Sequence, residues 1–220
     1  MTKGLTVLAL SLFAAATLSA AEKEKAEKPA AKAEKGEKKA ALAKMDFLDK
    51  EHAPKGRGWF PLFNMKDLAG WKFFNEKMSK TWKVTDGILA ADYPAGEHGT
   101  NIYSERKFGD FEIYYEFKVP KDGNSGVFLR GQYEIQIQED HGLPAGQKDW
   151  GNGGLYGQIK PSKNASKPLG EWQSVYATIN GKEINVWLNG EKIIDKYVAP
   201  KATHIYGEAG VKRSEERRVG

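Results

Sequence analysis

The feature that most constrains this chain is a series of short segments alternating apolar and polar side chains, punctuated by Asn-Gly pairs. Residues 111–119 (Phe-Glu-Ile-Tyr-Tyr-Glu-Phe-Lys-Val) and 133–138 (Tyr-Glu-Ile-Gln-Ile-Gln) show the period of two that a strand with one buried face requires. Residues 127–130, 172–179, 183–188 and 192–197 read as four more strands. Asn180-Gly181 and Asn189-Gly190 separate the last three. A two-residue hairpin turn that places both central residues at positive φ suits Asn and Gly, so each pair predicts a hairpin. Gly123-Asn124-Ser125-Gly126 predicts a turn before 127–130. No window carries a clear helical period. The fold class is therefore all-β, a sandwich, jelly roll or barrel of antiparallel sheets.

The ends of the chain differ from this middle. Residues 5–18 form an uncharged apolar run behind Lys3, followed by the small residues Ser19-Ala20-Ala21. The run is shorter than the roughly 20 residues of a membrane span, so residues 1–21 read as a cleavable signal peptide, with an uncleaved anchor as the alternative. No Cys follows it, which excludes a lipid-anchored form, and no transmembrane span remains after signal cleavage. Residues 22–44 hold only Glu, Lys, Ala, one Pro, one Gly and one Leu, a composition that cannot offset its ordering entropy by apolar burial. They read as a disordered Lys/Glu/Ala-rich tether. The expected location is periplasmic or secreted. Residues 212–220 show no strand pattern and resemble translated adapter sequence, with a genuine basic tail as the alternative.

The folded unit expected is residues 45–211, enough for one core. The chain has no Cys, so it forms neither a disulfide nor a thiolate metal site. Its net charge of +5 lies in the appendages. Lys3 contributes one positive charge, the tether three and the tail two, which leaves residues 45–211 at −1. A near-neutral unit lacks the basic stripe that phosphate backbones require, so nucleic acid is not an expected partner.

Several segments resemble, in order, the motifs of one family. Trp82-Lys83-Val84-Thr85-Asp86-Gly87-Ile88-Leu89 resembles its W-x-V-x-D-G-x-L opening, and Phe108-Gly109-Asp110-Phe111-Glu112 its F-x-D-F-E strand. Asn124-Ser125-Gly126-Val127-Phe128-Leu129-Arg130-Gly131 is similar to N-S-G-I-x-x-R-G, and Tyr133-Glu134-Ile135-Gln136-Ile137 to Y-E-V-Q-I. Gly153-Gly154-Leu155-Tyr156, Gly170-Glu171-Trp172 and Trp187-Leu188-Asn189-Gly190 complete the series. The chain thus resembles the 3-keto-disaccharide hydrolase domain family. The resemblance implies a concanavalin A-like jelly-roll sandwich of two antiparallel sheets. It also implies a hydrolase or lyase acting on oxidised mono- or disaccharides with a ketone at C3, and a closing strand expected after Gly210 that this sequence is read as missing.

Alternation along 133–138 sorts the candidate residues. Tyr133, Ile135 and Ile137 face the core, so Glu134, Gln136 and Gln138 share the other face, read here as a wet, concave surface. An ordinary solvent-exposed face would have the same pattern. Only one of the three is a carboxylate, whereas ordinary glycoside hydrolysis uses two at a set separation. A 3-keto sugar asks for less, because the ketone acidifies the hydrogen on C2. One base removes it, the C1 substituent leaves by β-elimination, and water adds back. Glu134 is the expected base, Arg130 the partner of the oxyanion or the orienter of Glu134, and His141 or Asp140 a proton donor. Gln136, Gln138 and Asn124 are expected to bind substrate. Trp150, in a Gly-rich loop, and Tyr156 offer stacking platforms for a sugar ring, whereas Trp82, Trp172 and Trp187 are expected in the core and His98 on the surface. Asp140 and His141, with Glu134 and Gln136, mix donors compatible with a divalent metal ion, but no spacing here is specific for one, so a metal cofactor stays open. The alternative to an enzyme is a carbohydrate-binding module without turnover, since fold alone does not fix function.

Overall fold

The computed structural model describes the backbone of residues 8–16 and, in full, residues 45–55, 58–92 and 99–203. The tether, His98, Ser19-Ala20-Ala21 and residues 212–220 lie outside the described residues. The architecture is all-β and antiparallel. Among the described residues the strands are β1 (Leu8–Ala16), β2 (Trp59–Pro61), β3 (Trp71–Phe73), β4 (Trp82–Thr85), β5 (Ile88–Ala91), β6 (Ile102–Ser104), β7 (Phe111–Lys118), β8 (Asn124–Leu129), β9 (Tyr133–Gln138), β10 (Gln173–Asn180), β11 (Glu183–Leu188) and β12 (Glu191–Val198). The main sheet runs β12-β11-β10-β7-β1-β5-β4, with β2 also paired to β1. β8 pairs with β9, and β3 with β6, as separate two-stranded sheets. The described helical content is one short 3-10 segment, Glu76–Thr81, started by Asn75, whose side chain accepts from the Lys77 N–H.

Period two places the core. In β7, Phe111, Ile113, Tyr115 and Phe117 point inward and meet Ile135, Ile137, Leu129 and Leu155 of the opposing layer. Val175, Ala177, Ile179, Ile184, Val186 and Leu188 extend the same inner face. Each fully buried Ile, Leu or Phe contributes about 1.5–3 kcal/mol, so this layer between the sheets stabilises the fold without disulfides. The other face of the main sheet is covered as well. Tyr114 is fully buried there against Phe47 and Ala53 of the segment 45–55, its ring meeting that of Phe47 edge-on at 5.3 Å.

The two hairpins form as expected, with different turns. Leu188 pairs with Glu191 around Asn189 (φ 53) and Gly190 (φ 83), both left-handed. Asn180 instead pairs with Glu183, so the central residues are Gly181 and Lys182 and only Gly181 has positive φ. Residues 124–126, expected as a turn, are the first residues of β8. Asn124 pairs with Gln138 and Gly126 with Gln136. Trp187 is not in the core: Ile184, Val186 and Leu188 take the inward positions of β11, so Trp187 falls on the outer face. Trp172 precedes β10, part-buried, with the Lys118 ammonium 5.6 Å from its ring. Trp82 does pack on the core, with its indole N–H donating to Thr100 O at 2.6 Å.

The apolar run of the N-terminus forms β1, a central strand. It lies antiparallel between β7 and β5, with Leu10 opposite both Phe117 and Leu89. The pairing with β7 extends over eight residues, from Ala9↔Lys118 to Ala16↔Phe111. The same residues carry the signal-peptide expectation.

Candidate active site

The central candidate is Glu134, second residue of β9. β9 is flanked on one side by β8 and on the other by residues 153–156. The Gln136 N–H donates to Gly154 O (2.8 Å), the Gly153 N–H to Gln136 O (2.8 Å) and the Tyr156 N–H to Glu134 O (3.0 Å). Glu134 is therefore held on a hydrogen-bonded strand. Phe128 stands directly opposite it in register, and Gly126 stands one pair along on the same face. A Cβ at Gly126 would lie 2.3 Å from Glu134 Oε1 and 2.7 Å from its Cγ. The missing side chain at 126 is the space into which the carboxyl group folds, the usual meaning of a Gly inside a strand.

Burial raises the Glu134 pKa from 4.5 to about 7, and no neighbouring charge contributes to the shift. A lone, partly desolvated carboxyl with that pKa is matched to accepting a proton near neutral pH. Tyr156, whose N–H donates to Glu134 O, begins an aromatic pair beside it. Trp150 and Tyr156 lie with ring centroids 6.4 Å apart at 66°, and Tyr156 is exposed. Asp149 (φ 35) and Trp150 (φ 73) are consecutive non-Gly residues in the left-handed region. Such backbone costs on the order of 1 kcal/mol or more per residue and concentrates at functional sites. A Cβ at Gly154 would sit 2.3 Å from Trp150 O, so the Gly-rich sequence lets this loop fold tightly over β9.

The structure brings together Glu134, Gln136, Asn124, Trp150 and Tyr156, and it disperses the rest. The Gln136 side chain is buried and its amide donates to Asn124 Oδ1 at 3.3 Å. Gln138 is fully buried, donating to Lys148 O, with its own Oε1 unpaired among the described residues. The face read as wet is thus sealed along Gln136 and Gln138 by the loop that follows β9, and it opens only at Glu134. Gln138 is a support for that loop rather than a surface for substrate.

Arg130 departs from the expected geometry. It sits at φ 53 after β8. Its guanidinium donates to Gly181 O, pairs with Asp110 at 3.7 Å and lies 5.7 Å from the Tyr133 ring. Tyr133 is on the core face of β9 and Glu134 on the other, so Arg130 points toward the opposite sheet and braces the β10–β11 turn. Asp140 and His141 lie beyond the far end of β9, and Glu134 to Gln138 alone spans about 13 Å at the strand rise. Asp140 is buried, accepting from the Asn152 N–H (2.8 Å) and Ser166 Oγ (2.6 Å). His141 Nδ1 contacts Ser166 O at 2.7 Å. Both carboxylate oxygens of Asp140 are engaged in holding loops, and among the described residues no group of three or more His, Cys, Asp or Glu could hold a metal ion. The donors named for a metal are thus split between two places. Sequence reasoning missed Gly126 and Phe128 as the walls of the site; the signal was a Gly directly before the Val127-Phe128-Leu129 strand segment.

Residues 58–217 match the family described as the 3-keto-alpha-glucoside-1,2-lyase-like domain. The chain belongs to this family. A 3-keto-disaccharide hydrolase of Bacteroides thetaiotaomicron is 22% identical over 174 residues, covering 66% of this chain and 60% of that protein. The chain thus spans less than two thirds of that curated relative. A crystal structure from Parabacteroides distasonis, named provisionally as a glycosyl hydrolase, aligns at 25% identity with a TM-score of 0.51, over 65% of this chain and 66% of the other. Glu134, Gly126, Trp150 and Tyr156 all fall within the span matched to the lyase-like family.

Proposed function

We propose that this chain is a glycoside-processing enzyme, a hydrolase or lyase for 3-keto-glycosides, built on a concanavalin A-like jelly roll and exported to the periplasm or beyond. The single observation that carries this reading is Glu134, a solitary carboxyl raised to about 7 by burial in the space that Gly126 leaves. The family's name and that of the Bacteroides relative support an oxidised saccharide as the substrate class.

In this mechanism Glu134 takes the C2 proton of the sugar. The electron pair moves into a C2–C3 enolate, with the negative charge on the ketone oxygen. Collapse of the enolate forms the C1–C2 double bond and breaks the bond from C1 to the glycosidic oxygen. That oxygen receives a proton and departs as the alcohol. Water then adds across C1–C2, its hydroxyl going to C1 and a proton to C2, which yields the free 3-keto sugar. Protonated Glu134 gives its proton to the departing glycosidic oxygen, since Arg130 and His141 are engaged elsewhere, and the added water supplies the proton that goes to C2. Trp150 and Tyr156 stack on the ring and hold C2 over the carboxylate. An ordinary two-carboxylate hydrolysis requires a second carboxylate about 5–9.5 Å away, which the strand 133–138 with its single Glu134 does not supply.

The test is turnover of a chromogenic 3-keto-glucoside by the wild-type chain and by Glu134→Gln. The expected result is release of chromophore by the wild type and a loss of at least about a hundredfold in the variant, the scale of a general base. Wild-type inactivity on every 3-keto-glycoside, with heat released on binding plain disaccharides, would support the binding-module alternative instead.

A further inference from the structure

We infer that the outer face of the main sheet carries a second binding site, shaped for one ring of a neutral saccharide, on the side of the sandwich away from Glu134. The pocket has a volume of about 180 Å³ and is lined by Glu51, His52, Lys55, Trp59, Glu112 and Tyr176. That is well below the roughly 300–1,000 Å³ of a drug-sized site, so it takes a single ring rather than an extended chain. Glu51, His52 and Lys55 precede the 58–217 span matched to the family, so half of the pocket belongs to the segment that this chain lays over the sheet.

The walls are fixed in place. Asp49 is buried; its Oδ1 accepts from the N–H groups of Glu51 (3.0 Å) and His52 (3.1 Å), and its Oδ2 meets His52 Nδ1 at 2.8 Å. That contact orients the imidazole. The ring lies nearly parallel to Tyr176, centroids 5.0 Å apart at 23°, and 5.2 Å from Trp187. The Tyr176 hydroxyl donates to Glu112 Oε2 at 2.9 Å. The Asp49 N–H donates to Tyr114 Oη (3.1 Å), and Tyr114 donates in turn to Glu116 (2.7 Å), which ties the segment to the sheet beneath. A pocket with stiff aromatic walls and preset polar groups loses little entropy when it binds.

Charge selects the ligand. Glu51 and Glu112 repel an anion, and Lys55, its ammonium held by Lys50 O and Glu51 O, keeps one positive charge beside them against a cation. Carboxylate acceptors, an ammonium donor and an imidazole around aromatic faces instead match a neutral polyol, whose hydroxyls donate and accept and whose C–H face stacks on a ring.

The experiment is isothermal titration of the full chain with maltose, cellobiose and lactose, and with glucosamine and glucuronate as charged controls. It is repeated on Glu112→Gln, His52→Gln and Trp150→Ala, with circular dichroism to establish folding. The expected result is that at least one neutral disaccharide binds, that Glu112→Gln or His52→Gln weakens it at least tenfold, and that Trp150→Ala leaves it unchanged. Turnover of a 3-keto-glucoside by Glu112→Gln should stay within twofold of wild type. No heat with any neutral disaccharide would overturn the inference. So would binding lost in Trp150→Ala but kept in folded Glu112→Gln and His52→Gln, or preference for either charged sugar.

Discussion

Replacing Glu134 by Gln should stabilise the protein at alkaline pH and leave it unchanged in acid. The sign follows from burial, which lifts the carboxyl from 4.5 to about 7. Below pH 4.5 both folded and unfolded chains carry the proton. Between about 4.5 and 7 the unfolded chain has lost it while the folded one retains it, so stability falls as pH rises through this window. Above 7 the folded protein bears an ionised, partly desolvated carboxylate. Each tenfold in acid strength is about 1.36 kcal/mol, so a sealed group would cost roughly 3 kcal/mol. Glu134 retains contact with solvent, which reduces this to about 1–2 kcal/mol. Gln keeps the shape without the charge. Urea unfolding of the two proteins at pH 4, 6 and 8 should show coincident midpoints at pH 4 and a Glu134→Gln midpoint higher by about 0.5–1 M at pH 8, for a slope near 2 kcal/mol per M. A difference independent of pH, or a wild type more stable at pH 8, would refute the placement of this carboxyl in a desolvated site.

Four further outcomes follow from the same geometry. With Glu134 as base, kcat/KM on a 3-keto-glucoside should rise with pH and level off above about 7, read from initial rates between pH 5 and 9. Gly126→Ala puts a Cβ 2.3 Å from Glu134 Oε1, so it should cost about 1–3 kcal/mol in thermal unfolding and lower kcat at least tenfold. Asp140→Ala removes the acceptor for Asn152 N–H and Ser166 Oγ, and should destabilise by about 2–4 kcal/mol, whereas His141→Ala should stay within about 0.5 kcal/mol and alter kcat less than threefold. Deleting residues 1–21 takes β1 from between β7 and β5; a monomeric, active deletion variant is the result expected if these residues are cleaved on export, and association through the bared edges in light scattering would count against that cleavage.

How much was legible in sequence differed by element. Residues 133–138 fixed β9 and its inward and outward faces because strict alternation admits one register. Asn189-Gly190 named its turn because both residues tolerate positive φ. The Trp187 position was legible too, in the alternation of Ile184, Val186 and Leu188, but its aromatic character suggested a core role that the strand's parity denies. Arg130, Asp140 and His141 were hidden, since their neighbours in sequence are not their neighbours in space. Arg130 turns at a left-handed backbone toward Gly181 and Asp110, fifty-one and twenty residues away in the chain. The Glu51–Tyr176 pocket was equally hidden, because it needs the segment 45–55 laid over strands that start at residue 111 and later. The use of Leu8–Ala16 as β1 is a tertiary choice that composition alone does not distinguish from an export signal.

The most direct test of Glu134-mediated elimination is the fate of the sugar's C2 hydrogen. Wild-type turnover of a 3-keto-glucoside in D2O, followed by proton NMR against a substrate-only control, should give a product carrying deuterium at C2 in every turnover, with neither product nor enzyme-catalysed exchange for Glu134→Gln. A product that keeps its C2 proton would contradict elimination and place the chemistry in direct displacement at C1.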